Sequence, residues 1–224
     1  MTVLFVIATI IVFLTIEALV HRARAKRGVQ EAVAPSPGHA QTYPVRIPDG
    51  IFFARSHTWL NLFPSGKVRL GVDDFVGRLL EKPEVVLLKA AGSEVRKGDP
   101  ILMLKESDRS LTIRAPLDGV ILAANDSIQN RSELLKEMLF TDGWAYMIKP
   151  RKPSELRQML LGEETRQWIA GELTRLRDLF SQEGSSTVAP ALLQDGGPPV
   201  GGALEGAERR IWEQFDRMFL RESG

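Results

Sequence analysis

The chain has 224 residues, 44% of them hydrophobic and 25% charged, and no cysteine, so disulfides, thiolate metal sites and cysteine nucleophiles are excluded. Its 29 Lys and Arg stand against 28 Asp and Glu, a formal net charge of +1, which leaves no overall basic footprint for nucleic acid. The three histidines, His21, His39 and His57, are too widely spaced to suggest a metal site.

In chain order, residues 3–20 read VLFVIATIIVFLTIEALV, with Glu17 as the one charge. At a helical rise of about 1.5 Å per residue this run nearly crosses a hydrocarbon core. No Lys or Arg precedes it, so it lacks the basic start of a cleaved signal peptide. The reading is a transmembrane helix over 1–21, with the lipid bilayer as a partner through residues 3–20. Arg22, Arg24, Lys26 and Arg27 follow directly. Basic flanks stay on the cytoplasmic side. The expected placement is therefore single-pass in the inner (cytoplasmic) membrane, N-terminus outside and the remainder cytoplasmic.

Residues 22–44 begin with that basic cluster and continue through Pro35, Pro37, Gly38 and Pro44 with few large apolar side chains, which predicts a tether. From about 45 the texture changes to short β-like runs. IFFARSHTWLNLFPSGKVRLGV predicts two strands around the turn Pro64-Ser65-Gly66. EVVLLKA predicts a third. A turn at Lys97-Gly98-Asp99 precedes a fourth over ILMLKES. LTIRAPLDGVILAAN predicts two more, broken between Pro116 and Gly119, and GWAYMIKP the last. Short strands at this spacing suggest a small sandwich or barrel.

Helices punctuate the β texture. DDFVGRLL opens with Asp73 and Asp74, good residues for a helix N-terminus; a catalytic carboxylate pair is the weaker reading, because neighbours at a helix start point apart. NRSELLKEMLF opens with Ser132 and places Leu134, Leu135, Met138 and Leu139 on one face. Beyond Pro153, with Ser154 as a candidate cap, Trp168, Ile169, Leu173, Leu176 and Phe180 recur at helical spacing, a stripe suited to packing against the β-domain. Residues 184–204, with DGGPPVGG, predict a flexible linker. In 205–224 Ile211, Trp212, Phe215, Met218 and Phe219 share one helical face, among mixed charges. A helix this short is marginal alone in water, so the face needs a partner groove or a membrane surface, and its mixed charges favour a protein partner within a larger assembly.

Several stretches, in order, resemble the H protein of the glycine cleavage system, a family with the lipoyl/biotinyl-type barrel-sandwich fold. SHTWL is similar to its Glu-His-Glu-Trp start, and KVRLGVDDFVGRLL to its GITDYAQ-x-x-LG segment. VVLLKAAGSEVRKGDPILMLKES resembles the strand ending in a lysine-bearing ESVKA. IRAPLDGVILAAND matches IYAPVSGEVVEVNE, and GWAYMIKPRKPSELRQML matches GWLIKIKP followed by PSELEELL. The resemblance covers about 51–170. His57 and Trp59 fall at positions matched in the family, but the reading of the residues themselves is that Trp59 fills the core and His57 sits at a strand end.

The resemblance also places a lipoyl lysine at a hairpin tip, eight residues before the position matched by Pro116. In this chain that position is Asp108, or Arg109 if the Glu-Ser pair is aligned with one deletion. Neither side chain can form an amide with lipoate: Asp108 has no amine, and the guanidinium of Arg109 stays protonated. Lys105, the nearest lysine, lies three residues further back and faces the other side of the strand.

The expected fold is mainly β. It is a lipoyl-type barrel-sandwich hybrid over 45–183 with flanking helices, plus the N-terminal transmembrane helix and the C-terminal amphipathic helix. The expected function is a non-catalytic, membrane-anchored accessory subunit of a larger complex, without lipoate, other cofactor or metal. Two alternatives stand beside it: an active lipoyl carrier in a glycine-cleavage-like or sulfur-metabolism system, and a docking module for lipoylated partners or their enzymes.

Overall fold

The computed structural model of the chain describes residues 45–182 and 202–221. Nine strands form two antiparallel sheets. The larger runs in the order β1 (Phe52–Ala54), β2 (Thr58–Leu62), β3 (Val68–Val72), β9 (Tyr146–Pro150), β8 (Gly119–Ala124), β5 (Glu94–Val95). The smaller has β4 (Glu84–Leu87), β6 (Pro100–Glu106) and β7 (Arg109–Arg114), with β6 in the centre.

Period-2 alternation builds both sheets. Val68, Leu70 and Val72 of β3 point inward, as do Leu102 and Leu104 of β6 and Leu111 and Ile113 of β7, all essentially without exposure. Trp59 pairs across β2–β3 with Gly71, and its indole lies over that glycine. A β-carbon at position 71 would come within 2.6 Å of the ring, so only glycine fits there.

The helices are α1 (Asp74–Leu79), α2 (Ser127–Asn130), α3 (Leu134–Glu137), α4 (Glu163–Gln182) and α5 (Arg209–Phe219), with a 3-10 turn at Pro153–Gln158. Asp73 caps α1 by accepting the Val76 N–H at 3.0 Å. Leu173, Leu176, Leu179 and Phe180 of α4 join one core with Phe215 and Phe219 of α5 and the inward side chains of both sheets.

The expectation of a mainly β fold is corrected. The helices hold about as many residues as the strands, and α4 and α5 supply part of the core itself, so this is a mixed α/β barrel-sandwich with flanking helices. The first predicted strand is also divided: the chain turns at Arg55–His57 and starts again as β2. The two-residue β5 was not anticipated; so short a run has no alternation to read.

The membrane reading is corrected as well. Among the described residues no helix is long and apolar enough to cross a membrane. The longest, α4, carries Glu163, Glu164, Arg166, Glu172, Arg175, Arg177 and Asp178 along its length. Residues 3–20 lie outside the described residues. The transmembrane helix, the bilayer as partner, the single-pass inner-membrane placement and the membrane-anchored subunit built on them are therefore set aside. The tether at 22–44 and most of the 184–204 linker likewise fall outside. The end of that linker does not hang free: Ala203 and Leu204 are buried, and Leu204 N–H donates to Leu79 O at 2.9 Å.

Candidate functional site

The hairpin between β6 and β7 closes tightly. Glu106 pairs with Arg109, leaving a two-residue turn of Ser107 and Asp108. Ser107 adopts a φ of 57°, the left-handed region that suits such turns but that a side chain enters at some cost. Asp108 stands at the tip, 67% exposed, and Arg109 is drawn in to 20%. Lys105 is on β6, opposite Ser110 on one side and Glu84 on the other, away from the tip. The positions that the family resemblance assigns to a lipoyl lysine thus carry a carboxylate and a guanidinium.

This tip is held by α5. Arg209 forms an ion pair with Asp108. The Arg109 guanidinium donates to Ala207 O and lies 5.5 Å over the Trp212 ring. Further along, β7 is an edge strand, and Asp216 of α5 accepts the Thr112 backbone N–H at 3.1 Å. The helix therefore covers an edge that would otherwise present open donors.

Beneath α5 lies a charged cluster around His57, which is fully buried and has a φ of 57°. Its backbone carbonyl accepts from Asp73 N–H at 3.0 Å, and its Nδ1 meets Asp73 Oδ2 at 2.8 Å. Its Nε2 is 3.9 Å from Glu172 Oε2. Phe75 stacks on one side of the imidazole at 4.5 Å between centroids, and Trp168 lies at 4.8 Å. Burial opposes the charged form, but the Asp73 carboxylate and then Glu172 outweigh it, pushing the His57 pKa up to about 9. Glu172 is held below its usual range: burial pushes it up, while His57 and Arg175 pull it down further. Arg175 completes the chain by donating to both Glu172 oxygens at 2.8 and 2.9 Å and to Met218 O of α5 at 2.8 Å.

Such a cluster is a clamp, not a catalytic device. General acid–base chemistry needs a reactant within hydrogen-bond reach, and neither His57 nor Asp73 has any exposure. Among the described residues no group of three or more potential ligands could hold a metal. Asp73 and Asp74 do diverge: Asp73 serves His57 and the α1 cap, whereas Asp74 binds Arg46 and Arg78.

The structure brings four of the five C-terminal face residues into the chain's own core. Ile211, Trp212, Phe215 and Phe219 are buried, and Met218 remains 42% exposed. Phe215 stacks on Phe219 at 4.7 Å, and both approach Phe75. The face expected to wait for a separate protein is occupied at home. Sequence reasoning missed Glu172, Arg209 and Asp216 as the residues that organise the two sites. Only Glu172 leaves a trace in the pattern, as an acid four residues after Trp168 on the inner side of α4.

A two-sheet barrel-sandwich with a projecting hairpin defines a domain of the lipoyl-carrier class. Residues 51–172 match the family described as glycine cleavage H-protein, and the chain belongs to that family. It is 24% identical to the glycine cleavage system H protein of Coprothermobacter proteolyticus over 125 residues, 56% of this chain and 98% of that one. It is 28% identical to the protein of the same name from Shewanella halifaxensis over 117 residues, 52% and 91% of the two chains. A crystal structure of a glycine cleavage system H protein from Mycobacterium marinum aligns with a TM-score of 0.41 at 20% identity, covering 52% of this chain and 90% of that one. The chain is a non-catalytic member of this family. The α5 helix lies outside the matched residues.

Proposed function

We propose that this chain is a non-catalytic accessory module of a glycine-cleavage-type system, which docks onto lipoylated H proteins or the enzymes that act on them and does not itself carry lipoate. The observation that carries the reading is the hairpin tip. Ser107 and Asp108 form the whole turn, neither offers a primary amine, Arg209 of α5 pairs with Asp108, and Trp212 of α5 lies against Arg109. A swinging arm needs the opposite arrangement, an amine at a tip free to move.

Family membership with an otherwise retained barrel supports a role among the same partners, by analogy with the family. In the test, the immobilised full-length chain is offered purified lipoylated H protein and, separately, the enzymes of the same system. Saturable retention of one of them is the expected result. If none is retained, the docking role fails. A second reading, an active carrier, rests on the match to nearly the full length of the relatives named as H proteins, and it would have to use Lys105. Lipoylation of the chain itself would put that reading in place of the first.

A further inference from the structure

The outer face of the larger sheet carries a charge pattern that neither the hairpin nor the His57 cluster uses. Alternation turns Val68 and Leu70 of β3 and Ile148 of β9 into the core, so Lys67, Arg69, Met147 and Lys149 point outward. Phe63 opposes Lys67 at the end of the β2–β3 hairpin, where its N–H donates to Lys67 O at 2.9 Å. On the other side, Lys149 pairs with Val120 of β8. The irregularity in β8 leaves Leu122 unpaired on the same outer face, 38% exposed.

Among the described residues, Lys67, Arg69 and Lys149 form no ion pair. Arg69 is nevertheless held in place: its guanidinium lies 5.1 Å over the Phe63 ring and 5.6 Å over the Trp144 ring. Its one hydrogen bond, from Nη1 to Thr141 O, is stretched to 3.5 Å, and its Nε is buried without an acceptor. The neighbouring carboxylates do not answer these cations. Glu94, which pairs across β5–β8 with Val120, meets Arg151 at 3.1 Å. Asp142 is exposed next to Thr141 and forms no ion pair among the described residues. A guanidinium already fixed between two rings loses little freedom when a carboxylate joins it.

Anionic lipid surfaces are typically held by denser basic clusters, of about four to eight Lys and Arg. Here three cations are interleaved with Phe63, Trp144, Met147 and Leu122, the mixture of arginine, aromatic and methionine that marks protein interfaces. We infer that this face docks an acidic, apolar segment of a partner protein, with carboxylates on Arg69 and Lys149 and apolar side chains against Phe63, Met147 and Leu122. The inference does not depend on the docking role proposed above.

The test is an NMR titration of the nitrogen-15-labelled full-length chain with the peptide acetyl-Leu-Glu-Glu-Leu-amide, its Gln-Gln counterpart and inorganic phosphate, at about 0.15 M salt so that diffuse attraction is screened. The expected result is a saturable shift of the Arg69 Nε–H signal and of the β3 and β9 amides with the acidic peptide, and affinity lower by about fivefold or more for the Gln-Gln peptide. Arg69→Gln should raise the dissociation constant for the acidic peptide about tenfold or more. Lys149→Gln, at an exposed position, keeps the comparison valid if Arg69→Gln disturbs the packing of Phe63 and Trp144, and it should weaken binding in the same direction. No saturable shift at these strands, equal affinity for the two peptides, or tighter binding of phosphate than of the acidic peptide would overturn the inference.

Discussion

At the scale of single residues, His57 has the most to lose from a change of protonation. Its cation is fully buried between Asp73 and Glu172, and its folded pKa, about 9, lies above the ordinary value of 6.5. A raised pKa contributes stability that is complete below the unfolded value and disappears as the pH climbs through the folded one. Thermal unfolding should therefore shift to lower temperature as the pH goes from about 6.5 to about 9, and His57→Gln should flatten that dependence. Glu172, with a lowered pKa, contributes in the opposite sense, present above its unfolded value and lost in acid. Asp73→Asn separates charge from capping. Asparagine can still accept the Val76 N–H, so α1 keeps its cap, while the buried cation loses its closest partner. The expected cost in urea denaturation is about 3 kcal/mol, the scale for breaking a buried ion pair. A loss under about 0.5 kcal/mol would mean that the cap, not the charge, is what Asp73 supplies.

The α5 helix shows, at the scale of elements, what a sequence pattern can and cannot convey. Its apolar face was legible because Ile211, Trp212, Phe215 and Phe219 repeat at helical spacing. Its destination was not, because periodicity reports that a face must be covered and is silent on what covers it. The groove that receives it is assembled from Phe75 of α1, the edge of β7 and Arg175 of α4, residues far apart in the chain. The β1–β2 break was hidden for a similar reason: the left-handed turn at His57 is stabilised by Asp73, a distant contact. Phe215→Ala should therefore destabilise the domain itself, by about 3–5 kcal/mol, instead of merely weakening an assembly. Hydrogen exchange at the Thr112 amide should accelerate in the same variant, since Asp216 would no longer hold it. Stability unchanged within about 0.5 kcal/mol would contradict the docked position of the helix. At the hairpin, Asp108→Lys would set a second cation against Arg209. The pair is exposed, so the loss should stay under about 1 kcal/mol. That variant is a test of whether a lipoate ligase can reach the tip once an amine is supplied.

For the whole molecule, one hydrophobic core joins both sheets, α4 and α5, and the described part should unfold in a single cooperative transition. The barrel-sandwich was legible in the order of its landmarks, from the strand that holds Trp59 to the Pro116 corner and the last strand before Pro153. The helical share of the core was underestimated, because short strands dominate the pattern while α4 and α5 carry many charges on their outer faces. The features on which the proposed role turns are local: a closed two-residue turn without an amine, tied down by a helix beyond the family match. The claim that it acts on carriers without being one is tested most directly by the intact mass of the full-length chain, expressed in a host with active lipoylation and supplied lipoate. The account predicts the mass of the unmodified chain, alongside complete modification of an H protein expressed in the same cells. A mass raised by one lipoyl group, mapped to Lys105, would contradict it.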